Sequence, residues 1–221
     1  AAGTVLAALC LAVQPAQAKV GIAAAVNQNA QGRPPGGSAR VIALGEQLVF
    51  NEQVSTDSNG QVQVLLLDGT TFTIGPSSDL KIDEFVFNPD SGQAKVVATV
   101  TKGAFRFIGA KTTQSEGGAT INAPVGTIGV RGGSVACADS GGQQVCMMPF
   151  GKEVTITDKS GQTHTIFKPG WLVAFDGNGN YVETRKATTK ELGAITTAMT
   201  TKGSGGTAKP PTNQTVEKSE V

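Results

Sequence analysis

The chain has 221 residues, with 18 Lys and Arg against 17 Asp and Glu, a formal charge of +1. That balance excludes a basic nucleic-acid binder, which concentrates Lys and Arg on one face; with 39% apolar residues, a charge-dominated disordered chain is excluded too. One His, one Trp and one Tyr leave few of the usual catalytic side chains, so one core domain with flexible ends and no cofactor is the expectation.

Thr4 to Val13 is an apolar run, followed by Gln14, Pro15 and the small-x-small triplet Ala16-Gln17-Ala18. The run is far shorter than the roughly 20 residues of a membrane-spanning helix. It has the pattern of a secretory signal peptide over 1–18, cut after Ala18. Residue 1 is not Met and the charged start of such a signal is missing, so the signal is expected to be truncated. Leu9 stands where lipid attachment to Cys10 would want a small residue. No other stretch is long and apolar enough to cross a membrane as a helix. The expectation is a periplasmic or extracellular protein without a transmembrane anchor.

From Val20 to Glu183, short runs of Val, Ile, Thr and Phe alternate with Gly, Asp, Asn and Pro. That spacing predicts an all-β fold, an antiparallel two-sheet sandwich of jelly-roll type, with a short β-solenoid as the alternative. A polar loop with Pro34-Pro-Gly-Gly37 is expected over 27–38, and a strand over 40–50. Strands over 61–67 and 70–74 flank Asp68-Gly69, a strong hairpin signal. Leu65 to Leu67 are apolar on both faces, which predicts a strand covered on both sides there. Further strands are expected at 79–87, 94–101, 104–109, 119–138, 143–148, 152–157, 163–167, 171–175 and 179–183. Thr188-Thr-Lys-Glu191 has capping-box spacing and introduces a short helix over 188–201. The segment 203–221 is Gly, Ser, Thr, Pro and charge, and is expected to stay disordered.

Gly141-Gly142 suits the positive φ values of a two-residue hairpin turn. Counting outward from it pairs Ser140 with Gln143, Asp139 with Gln144, Ala138 with Val145 and Cys137 with Cys146. Bonded and non-bonded pairs alternate, so the cysteines fall at a non-bonded site, within disulfide range. An exported chain meets an oxidising space, so a structural disulfide is expected, with two free buried thiols as the alternative.

Three blocks stand out in order. The first is Thr56-x-x-x-Gly60 through Asp68-Gly69-Thr70 to Phe72-Thr-Ile-Gly-Pro76-Ser77-Ser78; the second is Thr101-Lys-Gly103-Ala-Phe-Arg-Phe107. The third is Ile121-Asn-Ala-Pro124-Val-Gly-Thr-Ile-Gly129-Val-Arg131-Gly132-Gly133. Together they resemble the FecR-like domain over about residues 45–137, the centre of a β domain over 20–186. The resemblance implies an all-β extracytoplasmic domain without catalytic activity. In the best-known members it takes a signal from an outer-membrane transporter and passes it to a sigma-factor system. Many members carry Thr where this chain has Gly133, and the extra Gly predicts a bulge or tight bend.

Arg131, alone among glycines, is either a surface contact for a partner or a donor to internal carbonyls. The glycines around it lack the Gly-Lys-Ser/Thr and Gly-x-Gly-x-x-Gly patterns of phosphate loops. Asp176, Asn178 and Asn180 have the first spacings of a calcium loop, but Tyr181 replaces its Gly and Ala187 its Glu, so a hairpin turn is expected. Asp83 and Glu84 are strand neighbours pointing to opposite faces, unsuited to flanking one bond. His164 is expected on a polar strand face, with too few partners for a metal site. Phe105 with Phe107, and Phe85 with Phe87, share faces and either fill the space between sheets or dock sugars. The leading expectation is a non-enzymatic, envelope-located domain that binds a protein; the alternative partner is polysaccharide or cell-wall glycan, and a hydrolase has least support.

Overall fold

In this computed structural model, residues 18–27, 29–110, 113 and 118–200 are described, so the expected signal peptide and the 203–221 tail lie outside the described residues. Short apolar-polar alternations build strands nearly throughout. The first four are β1 (Lys19–Asn27), β2 (Ala30–Arg33), β3 (Arg40–Val41) and β4 (Gln47–Val49). Then come β5 (Gln53–Thr56), β6 (Gln61–Leu66), β7 (Thr71–Ile74), β8 (Asp79–Asn88), β9 (Gln93–Lys102) and β10 (Phe105–Ile108). The remainder are β11 (Ala119–Ala123), β12 (Gly126–Ser140), β13 (Gln143–Met147), β14 (Gly151–Asp158), β15 (Thr163–Ile166), β16 (Trp171–Phe175) and β17 (Tyr181–Lys186). Helix α1 (Thr189–Met199) ends the described chain.

The strands form two layers. Sheet I runs β4-β1-β6-β7-β10-β12-β13-β16-β17, all antiparallel. Sheet II runs β3-β2-β5-β8-β9-β11-β12-β14-β15. Its β9–β11 pair is parallel, a departure from the all-antiparallel expectation. The reason is topological: β10, between them in sequence, lies in sheet I, so the chain returns to sheet II in its original direction.

The fifteen-residue β12 serves both layers and joins them into one curled hydrogen-bonded sheet. From Gly126 to Gly133 it pairs with β14 in sheet II, and from Ser134 to Cys137 with β10 in sheet I. The switch falls at Gly132, whose φ is +58°, and at Gly133, where a Cβ would meet the Gly151 backbone and the Phe150 carbonyl. The bend expected from the extra glycine is therefore the corner at which the chain changes sheets.

One core fills the space between the layers. Phe72, Phe105, Phe107 and Val135 of sheet I meet Leu80, Val96, Ile121, Ile128 and Ile156 of sheet II in it. Phe72 and Phe107 pack edge to face, ring centres 5.1 Å apart. A second apolar layer lies on the outer face of sheet I. There Ala136, Ala138, Val145, Met147, Leu172 and Ala174 are covered by Ile195 and Met199 of α1. Thr188 caps that helix and Glu191 completes the capping box.

Several boundaries differ from the sequence expectation. The strand expected over 40–50 is split between layers, β3 in sheet II and β4 in sheet I, because Arg40 turns back to bond Glu46 and Glu52. The loop expected over 27–38 contains β2, and two strands outside the expected ones are present: β1, paired with β6, and β5, paired with β2 and β8. Pro124 and Val125 interrupt 119–138, ending β11 and opening the hairpin into β12. The doubly covered strands are not at Leu65 to Leu67, where Leu67 is 43% exposed, but at β12, β13 and β16 beneath α1.

Candidate interaction surface

Most motif residues serve the scaffold. The Asp68 carboxylate accepts bonds from the Thr70 N–H at 2.9 Å and hydroxyl at 2.8 Å, closing the Asp68-Gly69-Thr70 turn between β6 and β7. Pro76 and Ser77 lead into Ser78, a buried hydroxyl that donates to the Ala104 carbonyl at 3.0 Å and accepts from its N–H at 2.8 Å. Gly103 lies against Ser78, where a Cβ would collide with its side chain. Pro124 sits in the β11–β12 turn. Cys137 and Cys146 face each other across β12 and β13, Cα atoms 4.1 Å apart, and are joined as a disulfide.

Arg131 differs from these. Its side chain is 53% exposed on the outer face of sheet II, with the Glu153 carboxylate across the ladder at 4.0 Å. Among the described residues it bonds no internal carbonyl, so the internal-donor alternative gives way to a surface position. Beside it Gly129, opposite Thr155, leaves a trough of about 260 Å³ lined by Thr120, Gly129, Arg131, Glu153 and Thr155. A side chain at Gly129 would fill it, since a Cβ there stands 2.6 Å from the Thr155 hydroxyl. The surrounding face is rich in threonine: Asn122, Thr127, Thr157 and Thr163 follow one another across four strands, with Thr120, Gly129, Thr155 and Thr165 alongside. Chemically the site offers one ion pair above neutral hydroxyls and methyls. That suits recognition of a polar surface and contains no nucleophile–base pair.

The segment holding these motifs, residues 52–147, matches the family model described as FecR protein. That segment is a FecR domain. No curated protein matches the chain. Among solved structures it is similar to a crystal structure of a candidate anti-sigma factor from Parabacteroides distasonis, at 14% identity and a TM-score of 0.50. That match covers 64% of this chain and 62% of the other, so the chain spans less than two thirds of its length. At this identity the likeness is one of fold.

Around the FecR domain, other polar clusters are tied into the structure. Asp176 accepts from the Asn178 and Asn180 N–H groups at 2.9 Å and from the Asn180 amide at 3.0 Å. Those bonds, the Asn180 amide first, hold its carboxyl below the usual range and make the segment a hairpin turn. Asp83 pairs with Lys81 and Glu84 with Lys95 in separate ion pairs, 2.8 and 3.0 Å long.

His164 is not simply on a polar face. Its Nε2–H donates to Asp158 at 2.8 Å, and its ring stacks on Tyr181 with centres 3.9 Å apart. The imidazole, then the Ser160 hydroxyl, hold the Asp158 carboxyl well below the usual range. Ser160 donates to Asp158 rather than to His164, so the three form no nucleophilic triad; the carboxylate is the hub of the β14–β15 turn. Sequence spacing gave no sign of Tyr181, because the stack joins sheet II to sheet I across the open side of the sandwich. Phe105 and Phe107 are buried between the sheets, while Phe85 and Phe87 are half-buried with rings tilted by 32°.

Proposed function

We propose that this chain is an exported, non-catalytic FecR-domain module that binds another protein of the bacterial envelope and takes part in signalling, with the trough at Arg131 as its contact. The observation that carries the reading is the position of Arg131: a motif residue whose charge is half exposed, beside a trough that the neighbouring glycine keeps open. The fold likeness to a candidate anti-sigma factor supports a regulatory role. Export is supported by the apolar run Thr4 to Val13 with the small-x-small triplet ending at Ala18, by a strand that begins at Lys19, and by a disulfide suited to an oxidising space.

The test is capture from envelope extract on immobilised mature protein, starting at Lys19, beside its Arg131→Glu variant. A protein recovered by the parent and reduced at least fivefold on the variant is expected, since reversing a charge facing a polar partner costs on the order of 1 kcal/mol or more. Equal recovery on both, or glycan without protein, overturns the reading.

A further inference from the structure

Strand β17 ends sheet I and, among the described residues, pairs only with β16. Its free backbone groups follow from the ladder. The Ala187 N–H donates to the Gly170 carbonyl at 2.8 Å, marking a bonded pair one step beyond Lys186. Bonded and non-bonded pairs alternate in antiparallel strands, so Thr184 and Lys186 turn their N–H and C=O groups away from β16. The Lys186 carbonyl accepts from the Arg185 guanidinium at 3.3 Å, so the opening for another strand is centred on Thr184.

Its side chains select which strand. An edge guarded against its own kind carries charges of one sign, so that two copies repel. Here Glu183 and Arg185 stand symmetrically on either side of Thr184 and bond each other at 2.7 Å within the chain. Placing a second β17 antiparallel, with a two-fold axis at Thr184, makes Thr184 face Thr184 as a hydrogen-bonded pair. Glu183 then faces the second copy's Arg185, and Arg185 its Glu183. Both of these fall at non-bonded sites, where side chains on facing strands approach most closely. Arg185 has one donor left for this: of its five N–H groups, Nε bonds Glu183, Nη1 bonds Glu191 and the Lys186 carbonyl, and one of the two on Nη2 bonds Glu191.

Apolar surface lies beside the same edge. Phe167 is 66% exposed, Val182 43% and Tyr181 40%. A groove of about 160 Å³ between Ile166, Phe167, Trp171 and Thr184 opens between the edge strands of the two sheets. The geometry points to β17 as a self-pairing edge through which two copies of this chain join sheet I into one sheet across a two-fold axis. So short a ladder makes a weak dimer, of the small and transient interface class.

The test uses the mature chain from Lys19 onward. Sedimentation over a concentration series should show a reversible monomer–dimer equilibrium. Glu183→Arg sets like charges opposite each other twice and should weaken dimerisation at least tenfold while leaving the far-UV spectrum unchanged, since Glu183 is exposed and, among the described residues, its side chain bonds only Arg185. Thr184→Cys should give a covalent dimer on mild oxidation, because the introduced thiols meet on the axis, and peptide mapping should place the cross-link between the two residues 184. A chain that stays monomeric at its highest soluble concentration overturns the assignment. So does a dimer that Glu183→Arg leaves intact, or one in which residue 184 fails to cross-link.

Discussion

The corner at Gly132-Gly133 provides the sharpest test of how β12 serves two sheets. A Cβ built at Gly133 stands 2.5 Å from the Phe150 carbonyl oxygen, and the Gly151 Cα is closer still. Ordinary contacts of this kind need about 3.5 Å, so β12 and β14 must part by about 1 Å where the chain turns. Overpacking of this sort costs about 1–3 kcal/mol. The Ser134 N–H bond to the Phe150 carbonyl, 2.9 Å long, lies at the same spot, and losing it adds about 1 kcal/mol. Gly133→Ala should therefore destabilise the fold by about 3 kcal/mol, a fall of about 6–12 °C in Tm for a chain of this length. Gly141→Ala is the control: φ is +62° with no heavy atom within 4 Å of its Cβ, so only the left-handed backbone penalty of about 1–2 kcal/mol applies. Urea unfolding followed by Trp171 fluorescence, with the disulfide intact, measures both. If Gly133→Ala costs no more than Gly141→Ala, close backbone approach is not what fixes a glycine at the corner.

Three further outcomes follow from the packing. Replacing both cysteines, as Cys137→Ala with Cys146→Ala, should cost about 2.5 kcal/mol in urea unfolding, the chain-entropy value for a loop closed over a separation of 9 residues. Arg185, before the other partners, holds the Glu191 carboxyl at about 2, below its ordinary 4.5. A lowered folded value means that this stability is complete above pH 4.5 and is lost as pH falls towards 2. After allowance for solvent screening, Glu191→Gln should cost about 1–2 kcal/mol at neutral pH and almost nothing at pH 2, read from unfolding curves across that window. Phe107→Ala, which empties a fully buried ring site against Phe72, should cost about 3–5 kcal/mol, whereas Phe167→Ala on the surface should change stability by less than about 0.5 kcal/mol in the same assay.

What could be read from sequence was local. Gly141-Gly142 determines its own turn, and from the turn every pair out to Cys137 and Cys146 follows by counting; the structure has that register. The capping box of Thr188 and Glu191 lies within four residues and is present. What could not be read depends on partners far along the chain. Arg40 reaches Glu46 and Glu52, and that contact divides an apolar run into two strands in different sheets. β2 and β5 are short and polar, held by each other and by β8 rather than by their own pattern. The apolar character of Leu65 to Leu67 gave a false sign of double coverage. The true sign was the unbroken small and apolar run at Val135 to Ala138, with its counterparts at Val145 to Met148 and Leu172 to Phe175. Arg131 was legible as an oddity among glycines, but Glu153 and the trough appear only once β12 and β14 are in register.

The family match and the folded unit do not coincide, and the difference has a physical consequence. Residues 52–147 contain the FecR motifs, yet both sheets continue beyond them. On the N-terminal side β1 pairs with β6 and β2 with β5. On the C-terminal side β14 pairs with the sheet II half of β12, β16 pairs with β13, and α1 covers Ala136, Ala138, Val145 and Met147. A fragment cut at 52 and 147 would bare strand edges on both sheets and expose apolar residues on the outer face of sheet I, which are conditions for edge-to-edge aggregation. It would also lose Ile156, Val173 and Phe175 from the core between the layers. Such a fragment should therefore show no cooperative unfolding transition and should aggregate, while residues 19–200 unfold cooperatively. A soluble 52–147 fragment with a cooperative melt and a native near-UV spectrum would mean that the flanking strands decorate the FecR domain instead of completing its core.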